Sequence, residues 1–400
     1  MESSKPSRRG VLALASTPLI AQQLQVNKIF DPAALRPYRV AVPQNVINRI
    51  LARVRDARFP QRLDATDWRY GVDWDYMKSL VQYWATKYDW RKAEASLNKY
   101  PQFVAKVEDF DIHFYHVRGR GPNARPLVVT HGWPGSVFEF LDAIPPLSED
   151  FDLVIPSLPG FGFSSKPQGK PVGPRTTSRL WHQLMTEKLG YAKYGAQGGD
   201  WGNAVTTNLA AEHPEALVGI HLNAAGARPL PPQPIEEERA WQQKVIEQRN
   251  AEIDYFNEQQ HKPQTVAFAL YDNPVGAGAW IVEKLQNWSD STADLDKTFT
   301  KDQVLTNVMI YLVTDTMSTG VWFYRGPVEE GPAPPRGKIT VPTGFAAFPA
   351  EKAYLQPPRS ALERDFNLVH YTKMPRGGHF GCWEQPQLFA EDVRKFFRSL

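Results

Sequence analysis

The sequence predicts an α/β protein: a mostly parallel central sheet, a helical segment inserted after the sixth strand, and a helical extension ahead of the sheet. Three observations carry this reading. Short apolar runs at 126–132, 151–160, 191–199 and 217–224 are separated by helical patterns, the rhythm of parallel strands buried on both faces. That rhythm breaks near Ala227, gives way to helical patterns as far as Tyr324, and resumes with "GKITVPTGFAAF" (337–348) and "FNLVHYTKM" (366–374). Two amphipathic helices come before any strand signal.

Taken in order, residues 1–36 stand apart. Arg8 and Arg9 precede an uncharged stretch from Gly10 to Ala21, the layout of a twin-arginine export signal. The stretch holds a proline and ends in no clean cleavage site, so an unstructured cytoplasmic leader is the alternative, and localisation stays open between the two. Residues 37–105 form the helical extension. "PQNVINRILARVRDARF" puts Val46, Ile47, Ile50, Leu51 and Val54 on one face, and "WDYMKSLVQYWATKYDW" repeats the spacing with Met77, Leu80, Val81 and Trp84. Residues 106–226 are the first part of the core, opened by "VEDFDIHFYHVRG" as a single strand. Helices follow at "TSRLWHQLMTEKLG", with Leu180, Leu184, Met185 and Leu189 on one face, and at "NAVTTNLAAEHPEAL". Residues 227–335 are the helical insertion, which leaves through the proline-rich "GPVEEGPAPPRGK" (326–338), read as an exposed linker. Residues 336–400 complete the core and close on the helix "PQLFAEDVRKFF".

Composition excludes several classes of function. The chain has 400 residues, 46 basic and 43 acidic, for a net charge of +3, and shows no electrostatic footprint for nucleic acid. No run reaches the roughly 18 apolar residues of a membrane span. The single cysteine, Cys382, excludes an intrachain disulfide and a cysteine metal cluster. No metal-ligand spacing is present, and "GFGFSS" (160–165) lacks the Lys-Ser/Thr of a phosphate loop, so no cofactor or metal is expected. The 12 Trp, 15 Tyr and 21 Phe suit an apolar pocket and a large core equally well.

Chemistry is concentrated at Gly198-Gly199-Asp200-Trp201-Gly202. The segment sits where a strand ends and a helix starts, so it suits a nucleophile elbow that holds the Asp200 carboxylate up at the carboxyl edge of the sheet. A helix cap is the plainer alternative. "HGWPG" (131–135) ends an earlier strand, and its glycines let the Trp133 N–H face the nucleophile. With the Trp201 N–H it would complete an oxyanion hole. His131 reads as a brace for that loop. Of nine histidines, only His379, in "PRGGHFGCWEQP", follows the last strand on a loosened loop at the carboxyl edge, which makes it the candidate base. Asp365 precedes the last strand and belongs at the opposite edge, and the station at Asn223 carries no charge. Glu351, after "GKITVPTGFAAF", is therefore the candidate orienting acid.

Together "HGWPGS", "PSLPGFGFSS", "GGDWG", "FAAFPAE" and "GGHF" resemble epoxide hydrolases of the microsomal and fungal type, within the α/β-hydrolase superfamily. The resemblance runs from about Tyr38 to the C-terminus and includes the helical extension, which in that family wraps over the lid formed by the insertion. It implies that Tyr255 and Tyr324, otherwise two among fifteen tyrosines, bind the epoxide oxygen. It also implies a small apolar epoxide and water as partners, and a homodimer as a possible assembly.

A carboxylate suits that chemistry. With an ordinary pKa of about 3.9 it is already charged at neutral pH and can displace a strained C–O bond without a base. The alkoxide is received by acids, and a covalent aspartyl ester results. His379, oriented by Glu351, then activates water, and the product is a vicinal diol. A haloalkane dehalogenase using the same aspartate, and a catalytically silent hydrolase-fold binding protein, are the competing readings.

Overall fold

The computed structural model describes residues 35–64, 68–225, 230–291, 294–333 and 337–400. The export-signal reading falls almost wholly outside the described residues, as do the insertion boundaries at 226–227 and 335–336.

Nine strands form one sheet: β1 (Leu35–Tyr38), β2 (Gln102–Val107), β3 (Phe110–Val117), β4 (Arg125–Thr130), β5 (Phe151–Pro156), β6 (Tyr194–Gly198), β7 (Leu217–Leu222), β8 (Ile339–Ala347) and β9 (Phe366–Lys373). Their order is β1-β2-β3-β5-β4-β6-β7-β8-β9. The first three strands and the β3/β5 pair are antiparallel, and every pairing from β5 across to β9 is parallel. All residues of β5 and β6 are buried, as expected of strands covered on both faces.

Three sequence readings need correction. The strand expected in "VEDFDIHFYHVRG" is a hairpin, with Val107 paired to Phe110 and Glu108 turning at φ 49°. No glycine or asparagine marks that turn. Leu35 and Arg36, assigned to the leader, begin the edge strand β1. That strand makes β7 the seventh, so the insertion follows the seventh strand here and the sixth only when β1 is set aside. The linker expected at 326–338 begins as a short helix, Gly326–Glu329, with Gly326 buried.

The extension contains α1 (Gln44–Arg55), α2 (Trp74–Thr86) and α3 (Trp90–Leu97). Ile47, Ile50 and Val54 of α1 are buried, with Val46 and Leu51 half-buried beside them, and α2 buries Met77, Leu80, Val81 and Trp84. The Asp73 side chain caps α2 by accepting from Tyr76 N at 2.7 Å. Covering the sheet are α4 (Pro174–Gln183) and α5 (Trp201–Glu212). The insertion supplies α6 (Glu236–Glu252), α7 (Asp254–His261), α8 (Pro263–Leu270), α9 (Pro274–Trp288), α10 (Lys301–Val313) and α11 (Met317–Trp322), and α12 (Pro386–Arg398) closes the chain.

The extension packs against the insertion. Tyr88 Oη meets Thr306 Oγ1 at 3.2 Å, Tyr83 Oη donates to Asp302 at 3.0 Å, and Tyr76 Oη donates to Asp296 at 3.1 Å. The insertion is thus held from two directions, by the core beneath it and by the helices that precede the sheet. Among the described residues no helix is long and apolar enough to cross a membrane.

Candidate active site

At the end of β6 the backbone turns into α5 through Asp200, which has φ 48° and ψ −127°. An L-residue rarely adopts this conformation, which costs about 1–3 kcal/mol and persists only where its surroundings enforce it. The glycines do not carry the strain. They permit close approach: a Cβ on Gly202 would run into the Thr130 carbonyl of β4, and one on Gly199 would lie 2.6 Å from the Asn223 amide. The sharp turn therefore falls on the one residue whose side chain must stand clear of the sheet. Asp200 is 8% exposed.

Its carboxylate is held from two sides. The Trp133 N–H, on the loop after β4, donates to Asp200 Oδ1 at 2.8 Å, and His379 Nε2 lies 3.5 Å from Oδ2. Trp201 is the first residue of α5, so its N–H has no acceptor within the helix. His131 braces the Trp133 loop. Its Nε2 accepts from Leu158 N at 3.1 Å, so Nδ1 carries the proton and donates to Gly132 O at 3.0 Å. Burial lowers this imidazole to about 4 and keeps it neutral.

His379 and Glu351 sit on the loops after β9 and β8. His379 Nδ1 meets the two Glu351 oxygens at 2.9 and 3.1 Å, and both residues are buried. Glu351 also accepts from Ala353 N and Tyr354 N, so its carboxylate is fixed by its own loop. The His379 loop is pinned in turn. His379 N donates to Trp288 O at 2.9 Å, and the Glu384 carboxylate accepts from the N–H groups of Asp290, Gly378 and Phe380. Burial alone would lower the His379 imidazole. The Glu351 charge, with hydrogen bonds to Asp200 and Glu351, outweighs it and raises the group well above its ordinary value.

Aromatic rings from the insertion roof this point. Tyr255 stacks on Trp133 with centroids 5.7 Å apart, and Tyr324 meets Trp133 and Trp201 edge to face at 5.5 and 5.0 Å. The two tyrosine rings lie 5.9 Å apart. Burial, then the nearby Asp200 charge, pushes the Tyr255 phenol well up, and burial with the neighbouring Tyr255 and the Asp200 charge does the same to Tyr324. Both therefore stay protonated and can donate. Lys284 Nζ sits 4.6 Å over the Tyr255 ring and 5.6 Å over Trp288.

All seven residues singled out in the sequence thus surround one point. Six other histidines are engaged elsewhere: His221 and His370 both bond Asp392, His113 lies between Gln102 and Ser157, His116 meets Tyr191, and His182 stacks on His213. Asp365 ends the short helix before β9, at the far edge of the sheet. Sequence reasoning missed Tyr354. Its ring stacks on His379 at 5.8 Å and 13°, and burial, then the nearby Asp200 charge, raises its phenol well above the ordinary value. A tyrosine three residues after the orienting acid was its only signal.

The parallel sheet, the elbow and the convergent loops define an α/β-hydrolase. The family model described as epoxide hydrolase N terminus matches residues 35–140, and the one described as alpha/beta hydrolase fold matches residues 125–299. A relative from Stigmatella aurantiaca is 40% identical over 92% of this chain and 85% of its own length. Epoxide hydrolase 1 of Oryctolagus cuniculus is 34% identical over 92% of this chain and 89% of its own. The Aspergillus niger epoxide hydrolase structure superposes with a TM-score of 0.82 at 28% identity, covering 93% of this chain and 99% of that one. The chain belongs to the epoxide hydrolase family.

Proposed function

We propose that this enzyme opens an apolar epoxide to a vicinal diol through a covalent ester on Asp200. The observation that carries the reading is an Asp200 carboxylate held between the Trp133 N–H and His379, under two buried, protonated phenols. In the first half-reaction the Asp200 oxygen attacks an epoxide carbon, the C–O bond breaks, and Tyr255 and Tyr324 receive the alkoxide oxygen, which ends with the proton that His379 gives up. In the second, His379 removes a proton from water, and the water oxygen attacks the Asp200 carbonyl carbon. The oxyanion is stabilised by the N–H groups of Trp133 and Trp201. Collapse expels the diol, which takes its last proton from His379.

The charges explain how His379 changes state between the steps. Before attack it lies between two carboxylates, Glu351 and Asp200, and is protonated. Once Asp200 is a neutral ester, one of the two is lost and the imidazolium loses much of its support. Covalent capture of substrate thereby produces the base that the next step needs.

A haloalkane dehalogenase reading gains nothing from the phenol pair, since halide leaves without a proton. A silent binding role would leave the His379–Glu351 pairing without purpose. The segment between β7 and β8 acts as the lid in this reading, and a homodimer, which sedimentation would detect, remains part of it. The test is one turnover in heavy-oxygen water followed by peptide mass analysis. Label is expected in the peptide containing Asp200, and label confined to the diol would exclude the ester.

A further inference from the structure

Against Asp200 lies a small cavity lined by no residue of the insertion, whose walls include Gly132, Glu139, Gln197, Asp200, Asn223 and His379. About 20 Å³ of it is open to the centre of a water molecule, room for a single water, for which roughly 10–15 Å³ suffices. Neither Tyr255 nor Tyr324 lines it. The phenols and the cavity thus flank the nucleophile from different directions, while Asp200 and His379 border both.

Two polar groups on this wall have no part in the chemistry described so far. Gln197 is 1% exposed and donates to Asn223 Oδ1 at 2.8 Å, yet its own Oε1 has no hydrogen-bond partner among the described residues. A buried acceptor left in this way calls for a donor. The second group is Glu139, in the 3-10 turn Val137–Phe140 that follows "HGWPGS". It is half-buried as a residue, but its two carboxyl oxygens reach back to within 3.0 Å of where a Cβ on Gly135 would stand. Any side chain at position 135 would compete for that space. Burial pushes the carboxyl up to about 8, with positive His379 opposing and the Asp200 charge adding. At neutral pH the group is therefore a neutral acid, able both to donate and to accept.

We propose that Glu139 is a positioning residue for the hydrolytic water, which it holds in this cavity beside His379 with the carbonyl oxygen of Gln197 as a further acceptor. The inference rests on the ester reading above. In the step it serves, one water O–H proton passes to His379 Nε2 and the water oxygen bonds the Asp200 carbonyl carbon. The bond from that carbon to the alkyl oxygen then breaks, the leaving oxygen takes the proton from His379, and the second water proton, left on the Asp200 carboxyl, passes to His379 and restores the resting pair. Glu139 is unchanged at the end. Water reaches the ester from the cavity while the substrate occupies the lid side.

The experiment separates the two half-reactions. Glu139→Met keeps the bulk of the side chain without its hydrogen bonds, and Glu139→Gln keeps a neutral donor and acceptor. Each variant is mixed with excess styrene oxide, quenched at intervals and read by intact mass for the ester, with a thermal melt as the check on folding. Ester formation is expected within about twofold of wild type in both variants. Ester decay is expected to slow about tenfold or more in Glu139→Met, so that the adduct accumulates, and to stay within about threefold in Glu139→Gln. A Glu139→Met enzyme whose ester decays at the wild-type rate, or in which both steps slow equally, overturns the proposal. So does a Glu139→Gln variant as slow as Glu139→Met, since the acid would then act as an anion. If the wild-type enzyme never carries an ester, the reading beneath the proposal falls with it. A normal wild-type ester with an unaffected Glu139→Met variant removes the proposal alone.

Discussion

His379 faces Asp200 with one ring nitrogen, 3.5 Å from Oδ2, and Glu351 with the other, at 2.9 Å. A histidine between two carboxylates is a poor base until one of them is neutralised, and the proposed ester neutralises Asp200.

Replacing His379 should therefore divide the reaction. His379→Gln is expected to form the ester and then stall, with kcat lower by about 10²–10⁴-fold, the usual contribution of a general base. Intact mass after mixing with an epoxide should show nearly one adduct per chain. An adduct-free protein would place His379 in the first step instead.

The phenols should matter for the opposite half. Tyr255→Phe and Tyr324→Phe each remove one donor to the leaving oxygen, with an expected loss of about 10²-fold in ester formation and more in the double variant. Stopped-flow quenching of indole fluorescence would follow that step, because Trp133 packs on both phenol rings and Trp201 on that of Tyr324.

The acid limb of turnover should differ from the titration of the free enzyme. The raised His379 value belongs to the state with two carboxylates. In the ester the value falls, so kcat should decline only below a pH lower than the pH at which His379 titrates in the resting protein. Comparing the pH profile of kcat with imidazole NMR signals checks this. Coincidence of the two would contradict the charge argument.

Stability at acid pH should depend on Asp392. Burial raises this carboxyl, but hydrogen bonds from His221, His370 and Thr372 hold it well below the usual range. A depressed folded value gives stability that is present above the unfolded pKa of about 3.9 and is lost as pH falls through the folded one. Asp392→Asn should cost about 1–3 kcal/mol near pH 7, and the gap to wild type should narrow below pH 4. Urea titrations at both pH values measure it.

Much of this was legible in the sequence because periodicity and position are local signals. The runs of β4 to β7 are apolar on both faces, and His379 stood out by its place after the last strand. The edge strand β1 did not, because "LRPY" has neither length nor alternation. The β2–β3 hairpin was hidden because its left-handed turn residue is a glutamate. Glu139, Tyr354 and Lys284 acquire meaning only from neighbours far away in the chain, so no spacing rule could nominate them. The elbow was legible from its place between strand and helix, but not that the left-handed backbone falls on Asp200 itself.

The approach to Asp200 from two sides has a consequence for traffic through the enzyme. If solvent arrives from the cavity, the alkylated intermediate can stay sealed under its roof until it is cleaved, and the roof need open only for loading and unloading. Bulky epoxides that close the upper entrance would then be released more slowly without being hydrolysed more slowly.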